Sequence, residues 1–171
     1  MWKIQVLAFV CLAILALTSC SDEAGAPSSE APRGDARVEA FFAPTALDGP
    51  IGVLEARERS AASGSELTVH GRVKDFVDGA AAFTLIDASL KACGEEGEDD
   101  CQTPWDYCCH DPTELAHASV MVELRSAGVP LPTSLNGVHG LDHLKPIVVR
   151  GAWSTDAHGN ATLVASALDV P

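Results

Sequence analysis

The sequence predicts a mainly β fold: a small five-stranded barrel with a short lead-in helix and a Cys-rich insert between strands two and three. Three features point there. Five short apolar or alternating runs are separated by turn signals, one helix-length stretch precedes the first run, and four cysteines crowd between the second run and the third. A small β-sandwich is the alternative packing of the same strands.

The lead-in helix is expected over about Ile51 to Ala62 of GPIGVLEARERSAASG, with Gly49-Pro50 before it and Gly64 after it. In the first strand Leu67, Val69, Gly71 and Val73 alternate with Thr68, His70, Arg72 and Lys74, the period of a half-buried strand. Asp78-Gly79 marks a turn, and Ala82 to Asp87 reads as the second strand. Ala118 to Leu124 is the third. Ile147 to Trp153 and Thr162 to Leu168 are the fourth and fifth, joined by the turn-rich STDAHGNA. Before the fourth strand, SAGVPLPTSLNGVHGLDHLKP carries three prolines and three glycines, so any helix there is reduced to a turn around Leu141 to Leu144.

The amino terminus sets the compartment. In MWKIQVLAFVCLAILALTSC, Lys3 precedes an apolar stretch from Ile4 to Leu17, the polarity and length of a secretory signal. The stretch is short for a span of about 20 residues. Its end, Leu17-Thr18-Ser19-Cys20, resembles the lipobox of bacterial lipoproteins. That resemblance implies cleavage after residue 19, diacylation of the Cys20 sulfur with palmitate-type chains, and acylation of the new amino terminus. Several acyl chains anchor stably where one is marginal. Ser21, not Asp, follows the lipobox, which under Gram-negative sorting implies the outer membrane, facing the periplasm. The domain plan is therefore a signal peptide over 1–19, the lipidated Cys20 with a flexible tether over 20–45, and the barrel domain over 46–171. SDEAGAPSSEAPRGDA is too polar and too rich in Pro and Ser to bury a core. Loss of Lys3 with the signal leaves ten Lys and Arg against 24 Asp and Glu, a formal charge of −14. Such a surface repels phosphate backbones and anionic headgroups, so no nucleic-acid partner is expected.

The order of landmarks resembles the OB-fold, in particular a group of exported bacterial OB-fold proteins. The likeness rests on the helix, a strand like LTVHGRV, a strand running into Asp87-Ala88-Ser89, and a closing pair like IVVRGAW and TLVASALDV, over roughly residues 51 to 170. TPWDYCC resembles a segment of uncharacterised envelope lipoproteins of this layout, and that likeness implies no activity. Simple OB-folds join strands two and three with a few residues; here Leu90 to His117 intervenes, 28 residues long.

The insert reads Cys93-x7-Cys101-x6-Cys108-Cys109-His110. An even set of four cysteines in an exported domain favours disulfides. A Cys108–Cys109 bond is disfavoured, because adjacent Cα atoms lie about 3.8 Å apart and disulfides want about 4.4–6.8 Å. Cys93 and Cys101 are each expected to take one of the vicinal pair, as 93–108 with 101–109 or as 93–109 with 101–108. GEEGEDD, five acids in seven residues, cannot fold by burial alone, so crosslinks are expected to hold the insert while Trp105 and Tyr107 lay it on the barrel. The alternative is a copper or zinc site built from Cys93, Cys101, Cys108, Cys109 and His110, although the C-x2–4-C pairs of structural zinc are missing. His139 and His143, with Asp142, are a weaker cluster. A thiol-redox centre is a third possibility, without a C-x-x-C.

No G-x-S-x-G, H-E-x-x-H or phosphate-cradling glycine loop occurs, so neither catalysis nor a cofactor is expected. The OB binding face offers Phe76, Phe83, Arg72 and Lys74, few aromatics and cations for single-stranded nucleic acid. The expectation is a non-enzymatic, lipid-anchored envelope module with a membrane contact through Cys20 and a protein or small-molecule partner whose identity is left open.

Overall fold

The computed structural model describes residues 35–59, 64–95 and 101–171. The signal peptide, Cys20 and the first part of the tether lie outside the described residues, as do the end of the expected lead-in helix and the acidic residues 96–100.

In chain order the elements are α1 (Ala36–Glu39), β1 (Ile51–Gly52), α2 (Val53–Arg59), β2 (Ser65–Phe76), β3 (Ala82–Ile86), α3 (Pro112–His117), β4 (Ser119–Glu123), β5 (Arg125–Ser126), β6 (Val129–Pro130), β7 (Pro146–Thr155) and β8 (Ala161–Asp169). Strands β2, β3, β4, β8 and β7 pair in that order and β7 returns to β2, closing a five-stranded mixed barrel. β1 adds to β2 in parallel as an extra strand, and β4–β8 is the parallel pair of the barrel itself. This is the OB-like barrel expected from the order of landmarks, with the Cys-rich insert joining its second and third strands.

Closure depends on β2, which serves two neighbours. Ser65 to Arg72 pair with β7, while Arg72 to Phe76 pair with β3. A strand shared in this way must coil tightly. Gly71 stands at the handover, where a Cβ would come within 2.4 Å of the Ile86 carbonyl oxygen. The matching bend on β7 is a register shift at Arg150/Gly151, where a Cβ would lie 2.3 Å from the Val164 carbonyl oxygen. Alternation then points Val69, Val73, Phe83, Leu85, Val122 and Trp153 inward to a dry core.

Three features depart from the sequence expectations. The folded body begins well before residue 46: Asp35 caps α1, Val38 is 1% exposed, and Phe42 bridges to Leu168. VEAFFAP supplies enough apolar surface to pack, which the Pro- and Ser-rich composition preceding it had hidden. Between β4 and β7 the chain forms a β5–β6 hairpin turning on Ala127-Gly128, both at positive φ, and a 3₁₀ turn at Val138–Gly140 just ahead of the expected position. Helix α3 was not foreseen, although Asp111-Pro112-Thr113-Glu114 carries its start signal. Asp111 accepts from Thr113 N at 2.8 Å and Glu114 N at 3.3 Å, with Pro112 in the first turn.

Candidate functional site

The insert leaves the barrel at Asp87, a buried carboxylate at the end of β3. Its Oδ2 accepts from Leu54 N at 3.0 Å in the first turn of α2, and its Oδ1 accepts from Ser89 N at 3.0 Å and Ser89 Oγ at 2.7 Å. Burial pushes this carboxyl up, but the bonds from Leu54 N–H, the Ser89 hydroxyl and Ser89 N–H outweigh it and hold the group below its usual range. Asp-Ala-Ser therefore joins the helix to the root of the insert.

Arg57 braces the return arm. Its guanidinium donates to the carbonyls of His117 (2.8 Å), Ala116 (3.1 Å), Ser119 (2.8 Å) and Gly159 (2.9 Å), tying α2 to the end of α3 and to the β7–β8 turn. It also lies 6.0 Å over the Trp153 ring, and nothing in the sequence marks it, since the carbonyls it meets carry no residue-type signal.

Between these supports the insert has its own apolar cluster of Ile86, Leu90, Ala92, Tyr107 and Ala118, with Tyr107 0% exposed. Tyr107 thus lays the insert on the barrel as the sequence predicts, and Leu90, Ala92 and Ala118 join it. The acidic run holds no apolar side chain, but its flanks do, and they meet across the loop. Cys93 N donates to Asp106 O and Gly94 N to Pro104 O, both at 2.8 Å, so the two arms run side by side. Trp105 packs only partly and stays 39% exposed.

The insert also engages the cations of the expected binding face. Arg72 pairs with Glu95 Oε1 at 2.7 Å, donates to the Leu90 carbonyl and lies 5.8 Å over the Tyr107 ring; its side chain is 15% exposed. Lys74 pairs with Asp75 and reaches Asp106 Oδ1 at 3.7 Å. Phe83 is buried in the barrel. Of the four side chains expected on that face, both cations are paired within the protein and one aromatic belongs to the core.

The four cysteines gather at the junction of the two arms. All are free thiols in this structure; Cys93 is buried, while Cys108 and Cys109 are exposed. Cys93 Sγ lies 3.3 Å from Cys108 Sγ and 3.6 Å from Cys109 Sγ, and Cys101 Sγ lies 3.9 Å from Cys108 Sγ. The Cys108 thiol, with N–H groups of Cys109 and Cys108, holds the Cys93 thiol below its ordinary range. Cys108 is pushed up to about 11, first by its bond to Cys93 and then by that to Cys101. Cys93 is thus the readier thiolate and Cys108 the proton keeper.

The sequence-expected metal set assembles only in part. Cys93, Cys108 and Cys109 place one sulfur each within 4.8 Å of the others. His110 does not join them: its Nδ1 meets Glu114 Oε2 at 3.2 Å and its Nε2 meets the Lys91 carbonyl at 2.9 Å. His139 and His143 part company, because the positive φ of His139 breaks the helical turn that would have aligned them. His139 stacks on Phe42 and pairs with Glu39 at 2.6 Å, whereas the His143 Nδ1–H donates to the Lys74 carbonyl at 2.5 Å. His143 instead lies 5.5 Å from the Trp105 ring, and the two help to line an open cleft of 520 Å³ with Glu95, Pro104, Asp142 and Leu144. No local pattern marks this cleft, whose walls are about 40 residues apart along the chain.

The chain matches no protein-family model, and no curated protein sequence matches it. Among the described residues, no helix is long and apolar enough to cross a membrane.

Proposed function

We propose that this chain is a non-enzymatic, lipid-anchored module of the bacterial cell envelope. It is tethered through acyl chains on Cys20 and presents a disulfide-stapled acidic insert as its interaction surface. The observation that carries this is the gathering of four sulfurs from three places in the insert into contacts of 3.3–3.9 Å at the root of the acidic loop. In an oxidising compartment such contacts become crosslinks. The surface beside them combines half-exposed Trp105 with Glu95 and Asp142, a chemistry that selects a partner bringing positive charge and a flat apolar face. Arg72 and Lys74 are already engaged by carboxylates, which argues against nucleic acid.

A second reading is favoured by one observation, the trio Cys93, Cys108 and Cys109. Three thiolates at this spacing suit a soft ion, copper(I) before zinc, and the lowered Cys93 thiol would ionise first. One sample separates the two. The full chain, exported and extracted from membranes, is alkylated in denaturant with and without reductant, and its metal content is measured. Blocked insert thiols without metal support the staple; free thiols with one bound ion per chain support the metal site and refute the staple. Labelling with a palmitate analogue that persists in Cys20→Ala would overturn the anchor.

A further inference from the structure

Three of the four sulfurs, those of Cys93, Cys108 and Cys109, lie within 4.8 Å of one another, and that of Cys101 meets Cys108. Cys109 touches Cys93, Cys93 touches Cys108, and Cys108 touches Cys101, at 3.6, 3.3 and 3.9 Å. Cys108 sits in the middle because its backbone follows Tyr107, whose buried ring fixes the return arm beside Cys93. The Cys101 sulfur also meets Thr103 Oγ1 at 3.4 Å.

From this arrangement we infer that the mature insert carries the bonds Cys93–Cys109 and Cys101–Cys108. The inference rests on the stapled-insert proposal above and names its connectivity. Both of these contacts, 3.6 Å for Cys93 with Cys109 and 3.9 Å for Cys101 with Cys108, are already made, so all four sulfurs can pair without moving either arm. Joining Cys93 to Cys108 takes the shortest contact but gives up the one that Cys101 makes and sends Cys101 to Cys109 instead. A vicinal Cys108–Cys109 bond would compress two adjacent Cα atoms below the usual disulfide range and would still require Cys93 to reach Cys101. The favoured bonds close an outer loop of 16 residue steps and an inner one of 7, the inner nested in the outer. Each bond forms as two thiols lose two protons and two electrons to a disulfide-bearing oxidant protein of the export compartment. That oxidant's own disulfide is reduced to a pair of thiols. The Cys93 thiolate is the natural first attacker, and its neighbour Cys108 supplies a path for exchange until the stable pairing is reached.

The test uses the full chain, exported and purified without reductant. Alkylation in denaturant first counts free thiols within the insert. No tag means two bonds. Four tags mean that the stapled-insert proposal itself has failed, and two tags overturn the double pairing. Partial reduction with a phosphine at acid pH then opens one bond at a time, and the released thiols take a first alkyl tag. Complete reduction exposes the rest to a second tag of different mass. Sequencing the peptide that spans Cys108 and Cys109 reads which tag each bears. The expected result is Cys109 sharing its tag with Cys93, and Cys108 sharing its tag with Cys101. Cys108 sharing with Cys93, or with Cys109, overturns the inference. No variant is needed, so a folding defect cannot confuse the outcome.

Discussion

Tyr107 offers the sharpest test of how the insert is held, because the two parts of its side chain pull in opposite directions. The ring is fully buried among Ile86, Leu90, Ala92 and Ala118, while its hydroxyl is buried near the Arg72 guanidinium without a well-formed hydrogen bond among the described residues. Burial pushes its phenol up from the ordinary value, as befits a group taken out of water. Tyr107→Phe keeps the ring, its place in the cluster and its contact with the Arg72 guanidinium, and removes only the stranded hydroxyl. An unsatisfied buried hydroxyl costs about 1–3 kcal/mol, so the phenylalanine variant should be more stable by about 1 kcal/mol. Tyr107→Ala removes the ring and should lose about 3–5 kcal/mol. Urea unfolding followed by tryptophan fluorescence reads both, since Trp105 reports the insert and Trp153 the barrel core. Against a domain of this size the gain corresponds to roughly 3–5 °C in melting temperature. Should Tyr107→Phe instead lose 1 kcal/mol or more, the hydroxyl is satisfied by something and the account of the cluster is wrong. Should Tyr107→Ala cost almost nothing, burial is not what holds the insert.

Arg57→Met removes four hydrogen bonds to carbonyls while keeping the aliphatic stem, and should cost about 2–4 kcal/mol; a calorimetric melting temperature within a degree or so of wild type would show the brace to be idle. Asp87 has its folded carboxyl held below the ordinary value of 3.8, so its stabilisation is present above that value and is lost as pH falls through the lower folded one. Asp87→Asn should therefore be less stable than wild type at neutral pH by about 1–3 kcal/mol, with the gap closing on acidification, and denaturant midpoints measured across pH would expose a gap that stays constant. Reduction of the outer crosslink should lower the stability of the insert by about 3 kcal/mol in the chain-entropy account, read as faster exchange of the Cys93 and Gly94 amides; exchange unaltered by reductant would remove the staple's role.

Much of the barrel was legible because its signals are local. The alternation over Leu67 to Val73, the Asp78-Gly79 turn and the apolar runs before and after STDAHGNA each report a pleat with one buried face, and the strands lie where those patterns lie. α3 has its cap written in Asp111-Pro112, but its six residues include no buried one, so no apolar periodicity marks it as a helix. The start of the body was placed late for a different reason. Composition averages over windows, and a polar window masked Val38, Phe41 and Phe42, which pack on the closing strand. The insert's apolar cluster was obscured in the same way, since its members sit on either side of the acid run and become neighbours only when the loop closes.

From sequence alone came the five strands, the helix before them, the position and chemistry of the Cys-rich insert and the strongly acidic balance, all properties of residues near one another in the chain. Only the tertiary structure decided that the four sulfurs gather at one place, that His110 turns to Glu114, that Arg72 and Lys74 are engaged by the insert, and that Trp105 meets His143 across a cleft. The physical reason is that pairing across a closed barrel is set by strand register and coiling, which sum over the whole sheet, and no short stretch of sequence carries that sum.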